Sequence, residues 1–309
     1  MHLYIYKFNF LCFFILVDLM FVYIIVLISF FIALLWSISS LIAKKIDVLF
    51  GYNKTALILL FMNLIVTIPF MFLFAISINS TMLIFSIISG LLDGISYLLF
   101  FNSLQTEQTS NTYTLLTLQA IVLIIFGLFV LGENVITYSI IGIIFILFGI
   151  FAVSNKELSL KFNRRLIPAI IGNITWALSW IAFFYAYKAS NNFIDPLVFS
   201  YTTAVLLIGL KLWLRSSKIN SVNKESIKTN KILKLGIILS LPAGFATAIG
   251  NILFAYFQSI NVIAIAATIS NISPILIAIM AYFIYKDKLT KLNIIGILLA
   301  VLGTIIIAL

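Results

Sequence analysis

Apolar runs of roughly 20 residues follow one another from about residue 22 to the end of this sequence, and each is long enough to cross a bilayer core of about 30 Å as a helix. Lipid offers backbone N–H and C=O groups no partners, so a spanning segment must satisfy them internally as a helix or in a closed barrel. The strict alternation of a barrel strand is missing. The fold class is therefore an all-α membrane protein. Breaking the runs at charged and turn-forming clusters predicts ten transmembrane helices, at about 22–43, 55–78, 82–104, 111–131, 135–154, 166–188, 193–214, 235–258, 262–284 and 290–309.

Composition agrees and excludes much else. Hydrophobic residues make up 63% of the chain and charged residues 9%, against about 25% charged in an ordinary soluble domain. The net charge of +10 does not point to nucleic acid, because the basic residues sit in short loops between apolar runs, as topology signals do. One cysteine, Cys12, and one histidine, His2, leave no disulfide, no metal cluster and no Cys/His nucleophile; no cofactor is expected. Apart from Lys7 and Lys188, every one of the 19 Lys and Arg residues falls on one side of the ten-helix scheme. The positive-inside rule makes that side cytoplasmic and places both termini outside. The localisation expected is the cell membrane, multi-pass. Residues 1–21 read as an N-terminal extension, interfacial or upstream of a true start at Met20.

Internal repetition carries more information. Laying Glu133 onto Asp287, a shift of 287 − 133 = 154, puts "GENVITYSIIGIIFILFG" on "KDKLTKLNIIGILLAVLG", with Gly142 on Gly296 and Gly149 on Gly303. The same shift puts "SGLLDGISYLLF" on "AGFATAIGNILF", with Gly90 on Gly244 and Asp93 on Thr247. A unit of that length holds five helices, an odd number, so the second copy enters the membrane inverted. Inverted repeats are a known route to alternating access, with the substrate site between them near the midplane. The organisation expected is two inverted five-helix repeats, 22–154 and 166–309.

Each half resembles the EamA-type module of the drug/metabolite transporter superfamily. The first half has "LLWSISSLIAK" and "GENVITYSIIGIIFILFG", the second "ITWALSWIA" and "KDKLTKLNIIGILLAVLG", and "SNISP" with Pro274 looks like the family's proline in its fourth helix. Two departures stand out: Ala120 where the second half has Pro274, and Asp287 flanked by lysines where a Gly–Glu pair is usual. The resemblance implies a secondary transporter of small metabolites and no enzyme. Family members are usually drawn with both termini inside, whereas the charge distribution places them outside.

The residue that most needs explaining is Asp93. Ser86, Ser89, Gly90, Asp93, Ser96 and Tyr97 share one helix stripe, with Leu, Ile and Phe on the other faces. A charged carboxylate near the midplane costs at least about 2.5 to 3.5 kcal/mol, so it is expected to be paired or protonated. Asp93 is thus a candidate for proton coupling or for binding a cationic substrate group; the alternative is a neutral acid holding helices together. Trp36, Trp176 and Trp180, with Tyr97, Tyr113, Gln119, Asn173, Asn251 and Asn271, are the other expected substrate-binding residues, since amides and aromatics on these helices avoid lipid by facing a cavity or another helix. Aromatic walls near one acid suit amines or amino acids through cation–π contact; sugars, nucleosides and lipid-linked solutes are the alternative. An embedded enzyme, built on Asp93 and Asp195, is a minor one. Pro274 is a hinge candidate. The glycine pairs predict close packing of the fifth and tenth helices or a homodimer contact, and Glu133 and Asp287 are expected to cap the helices they precede.

Overall fold

The structure is a computed structural model that describes residues 2–106, 116–133, 137–154, 167–190, 192–216, 226–285 and 290–308. Among these residues regular structure is entirely helical. The first half contains α1 (His2–Phe50), α2 (Tyr52–Met71), α3 (Ser80–Thr106), α4 (Leu116–Ile125, continued by a π-helical turn at Phe126–Val130) and α5 (Thr137–Ser154). The second contains α6 (Ile167–Ala189), α7 (Ile194–Ser216), α8 (Ser226–Ser259), α9 (Ile263–Ser270), α10 (Ser273–Tyr285) and α11 (Lys291–Ala308). Seven segments are long and apolar enough to cross a membrane, and three shorter apolar helices, Leu118–Val130, Thr137–Ala152 and Lys291–Ile307, fall where the sequence predicts the fourth, fifth and tenth spans.

One expectation, in the ninth predicted helix, is corrected, and at the N-terminus helix continues through the residues before the first predicted span. No Gly or Pro interrupts residues 2–50, so α1 runs unbroken for 49 residues, about 73 Å at ~1.5 Å per residue. It ends at Gly51, whose φ of 77° is open to glycine at little steric cost. The ninth predicted helix is two pieces. Thr268, Ser270 and Asn271 turn their side chains back onto the carbonyls of Ala264, Ala266 and Ala267, and Pro274 brings no N–H. The chain breaks between α9 and α10, which leaves Pro274 in the first turn of α10 rather than in mid-helix, where proline is well tolerated.

Polarity is inverted relative to a soluble protein. Large apolar residues such as Leu27, Phe129, Leu206 and Phe283 are exposed on the outside, while Ser29, Ser37, Asn63, Thr67, Ser86, Ser96 and Asp93 are buried. The buried polar residues lie where helices of the two halves meet. Helix α3 packs on α6 and α7, while α8 packs on α1 and α2; α4 packs on α6, while α9 and α10 pack on α1. Exchanging the halves turns each of these contacts into its partner. The remaining large interface joins α5 to α11.

That last interface is built glycine to glycine. A Cβ added at Gly142 would sit 2.6 Å from the Gly303 carbonyl oxygen, and one at Gly149 would sit 2.6 Å from that of Gly296. Positions 142 and 303 meet, as do 149 and 296, so the two helices run antiparallel. The glycines are spent on this intramolecular crossing and are closed to a dimer contact. Replacing Gly142 or Gly149 by Leu is expected to cost at least about 1–3 kcal/mol through overpacking. Gly209, with nothing within 4 Å of an added Cβ, should accept Ala without loss. Thermal unfolding in detergent checks both: a drop of about 2–4 °C per kcal/mol for the first two variants, and no drop for the third.

Candidate functional site

A cavity with about 660 Å³ of atom-free space, counting its open part, lies between the halves. Trp36, Tyr97, Gln119, Trp176, Trp180, Asn251 and Asn271 line it, as the sequence predicts. None of the lining side chains is ionisable to a cation or a carboxylate. The mouth is displaced towards one end: Ala43 is near the C-terminus of α1, Phe101 near the C-terminus of α3, and Gln119 near the N-terminus of α4. At the other end lie the connections 72–79 and 260–262 and the turn after α4.

The walls repeat under exchange of the halves. Trp36 on α1 meets α8: its indole donates to Asn251 Oδ1 at 3.0 Å, and its ring packs on Phe254 at 5.6 Å. Trp176 on α6 meets α3 in the same manner, on Tyr97 at 4.9 Å and Phe100 at 5.5 Å. Tyr97 and Phe100 are the 154-shifted equivalents of Asn251 and Phe254. One turn away the symmetry fails. Ser39, three residues after Trp36, bonds Thr247 at 2.5 Å; since Thr247 already donates to the Ala243 carbonyl, Ser39 is the donor. The equivalent pair is Ser179 and Asp93, so a carboxylate stands where the other half has a hydroxyl.

Asp93 is buried and does not line the main cavity. It lies in a smaller adjoining chamber with Ser89, Ser179, Trp180, Ser200, Tyr201 and Asn251. Trp180 and Asn251 border both spaces. Asp93 therefore adjoins the aromatic cavity through these two side chains, and Trp180, Phe183 and Tyr201 also line its own space. None of the residues around Asp93 is cationic. The chamber is instead webbed by hydroxyls, with Ser200 Oγ donating to Ser89 Oγ at 2.9 Å and Ser179 Oγ donating to the Ser89 carbonyl at 2.9 Å. Asn251 ties the chamber together by donating to the Tyr201 hydroxyl at 2.8 Å.

Other predicted residues fall elsewhere. Asn173 is fully buried, donates to the Ala169 carbonyl at 2.7 Å and touches neither space; it bonds its own helix instead. Pro274 begins α10 and does not line the cavity. Tyr113 lies outside the described residues, as does Asp287. Glu133 reaches across the halves: its two carboxylate oxygens accept the N–H groups of Ile263 and Ala264, at 2.7 and 2.8 Å, at the start of α9. Sequence reading missed Tyr201 and Ser200. The only signal was the polar cluster "SYTT" in an otherwise apolar run. Leu59, Phe100 and Phe101 in the main cavity carry no such signal.

A helical membrane protein with a neutral, aromatic-walled cavity between two cross-packed halves has the plan of a small-solute permease. The comparisons name the group: the chain matches the EamA-like transporter family over residues 20–155 and 164–309, nearly its whole length, and belongs to it. Protein LicB of Haemophilus influenzae is 29% identical over 151 residues, 47% of either chain, so the chain spans about half the length of that curated relative. A solved structure titled "Crystal structure of protein" superposes with a TM-score of 0.68 at 18% identity, covering 92% of this chain and 98% of that one, which supports the fold alone.

Asn251 is the most connected polar side chain of the site. Asn251→Leu would strand the Trp36 N–H and leave the Tyr201 hydroxyl without its donor. Unsatisfied buried groups cost about 1–3 kcal/mol each, so a lower Tm is expected than for Thr247→Val, which strands only the Ser39 hydroxyl. Thermal unfolding of the two purified variants checks the order.

Proposed function

We propose that the protein is a secondary carrier in which ten spans form two inverted repeats, 22–154 and 166–309, that alternately open a central site to either side of the membrane. Two observations support inversion: the exchange-related contacts and the antiparallel crossing of α5 and α11. The antiparallel pair carries most weight, since two copies inserted in the same direction would place their fifth helices parallel.

The solute is a small cation or zwitterion, such as an amine or an amino acid. The observation that carries this reading is the aromatic lining of Trp36, Tyr97, Trp176 and Trp180 with the buried Asp93 carboxyl in the adjoining space. Aromatic faces attract a cation by about 0.5 to 2 kcal/mol or more when water is excluded, and Asp93 adds its field from that space. Gln119, Asn251 and Asn271 offer polar groups for orientation. Phosphorylated solutes are disfavoured, because no cationic side chain lines the cavity to meet them. The neutral polar lining favours a second reading, stacking and hydrogen bonding of an uncharged nucleoside or sugar.

Asp93 is assigned the coupling proton. A carboxylate buried among hydroxyls with no cation beside it is stabilised by protonation, and changing the access of the chamber changes where the proton can leave. Protein reconstituted in liposomes is expected to show saturable, trans-stimulated counterflow of a labelled amine or amino acid. Flux that rises linearly with concentration and ignores trans substrate would mean a pore. Asp93→Asn is expected to keep counterflow but lose accumulation driven by a pH gradient; unchanged gradient-driven accumulation would remove the proton from this residue.

A further inference from the structure

Two carboxylates outside the cavity stitch the halves together at the end of the bundle away from its mouth. Glu133, from the first half, accepts two backbone N–H groups of the second, Ile263 at 2.7 Å and Ala264 at 2.8 Å. Asp195, from the second half, accepts the Ser77 N–H of the first at 2.7 Å and the Asn192 amide at 2.9 Å. Asn192 in turn donates to the Ala75 carbonyl at 3.0 Å, and Asn79 donates to the Ala189 carbonyl.

The backbone is shaped for the first of these ties. The π-helical turn Phe126–Val130 and Gly132 at φ 66° fold the chain back, and the Glu133 N–H bonds the Gly127 carbonyl at 3.0 Å. Gly127 leaves the room: a Cβ there would stand 3.0 Å from Glu133 Cδ and 3.1 Å from the Ala264 nitrogen. A wide turn placed where a side chain must pass is a recurrent feature of functional sites. In the second tie Asp195 is fully buried, and its Oδ1 finds no hydrogen-bond partner. A buried carboxylate left half-satisfied is costly, so it gains water when the joint opens, which keeps this joint from being a permanent weld.

We propose that Glu133 and Asp195 are gating residues: they clasp the two halves at the face carrying residues 72–79, and both clasps must break before the cavity can open to that face. This rests on the carrier reading and adds which groups govern one of its two gates. Removing the negative charge from Glu133 swaps two charge-assisted bonds for at most one neutral one, and turns the amide NH2 towards a backbone N–H. Helix α9 then loses its tie to the first half.

The test reads sided accessibility and needs no substrate. A reporter, Ser40→Cys, is placed in the cavity of a Cys12→Ala background, reconstituted in vesicles of known orientation and treated with a membrane-impermeant thiol reagent. With Glu133→Gln, labelling from the face carrying residues 72–79 is expected to rise by roughly tenfold, while labelling from the mouth side falls or holds. Asp195→Asn is expected to act in the same direction, as is Gly127→Ala, which crowds the clasp and keeps the charge. Folded protein is confirmed by gel filtration and melting before labelling. Unchanged labelling from that face in all three variants overturns the proposal, and so does an equal rise from both faces, which would signify general loosening. Loss of counterflow in the parent protein would instead strike the carrier reading and leave the labelling result standing.

Discussion

Everything in this molecule follows from the lack of hydrogen-bond partners in lipid. A polar side chain on a spanning helix is stable only where another part of the protein meets it. The serines, threonines and amides of α1, α3, α6 and α8 are therefore gathered between the halves, and the apolar residues that would form the core of a soluble protein are turned outwards. The cavity is a product of this sorting. Four helices that each carry a polar stripe cannot all bury it in direct contact, and the space left between them is lined by groups able to hold a solute.

Pseudo-symmetry adds a second constraint. Trp36 and Trp176 each rest on a helix of the opposite half, so the two walls of the cavity are held by equivalent contacts and differ little in packing energy. Two equivalent arrangements are what a carrier needs if it is to face either side at similar cost. The departure from symmetry is local and chemical: Asp93 where the other half has Thr247. Threonine is satisfied by Ser39 and its own helix. Asp93 instead stands among the hydroxyls of Ser89, Ser179, Ser200 and Tyr201. The chemical difference between the two walls is concentrated at that one position.

The contacts at the far end use different physics. Backbone N–H groups at the start of α9 and at Ser77 are strong donors held in place by the fold, and the carboxylates of Glu133 and Asp195 are the flexible partners. Bonds of this kind are short and strong when made, and their loss is softened by hydration once the joint opens. Dry helix crossings such as α5 with α11 have no such compensation.

Much of this is legible in the residues themselves. Helical spans, their order, the two-repeat pattern and glycines poised for close packing follow from length, polarity and spacing, because the bilayer penalises any other placement and a Cβ-free surface invites close approach; that Gly142 meets Gly303 and Gly149 meets Gly296 does not. The polar stripe of α3 likewise announces that Asp93 is buried. Position along the chain cannot say which helix a stripe will face, so the place of Asp93 beside the main cavity, the contribution of Tyr201 and Ser200, the self-bonded Asn173 and the reach of Glu133 to α9 emerge only in three dimensions. The break before Pro274 belongs with them, since three side chains turning back onto α9 decide it together. The sequence by itself determined what must be hidden from lipid; tertiary structure decided what each hidden group is hidden against, because partners in a membrane protein are chosen by packing across helices far apart in the chain.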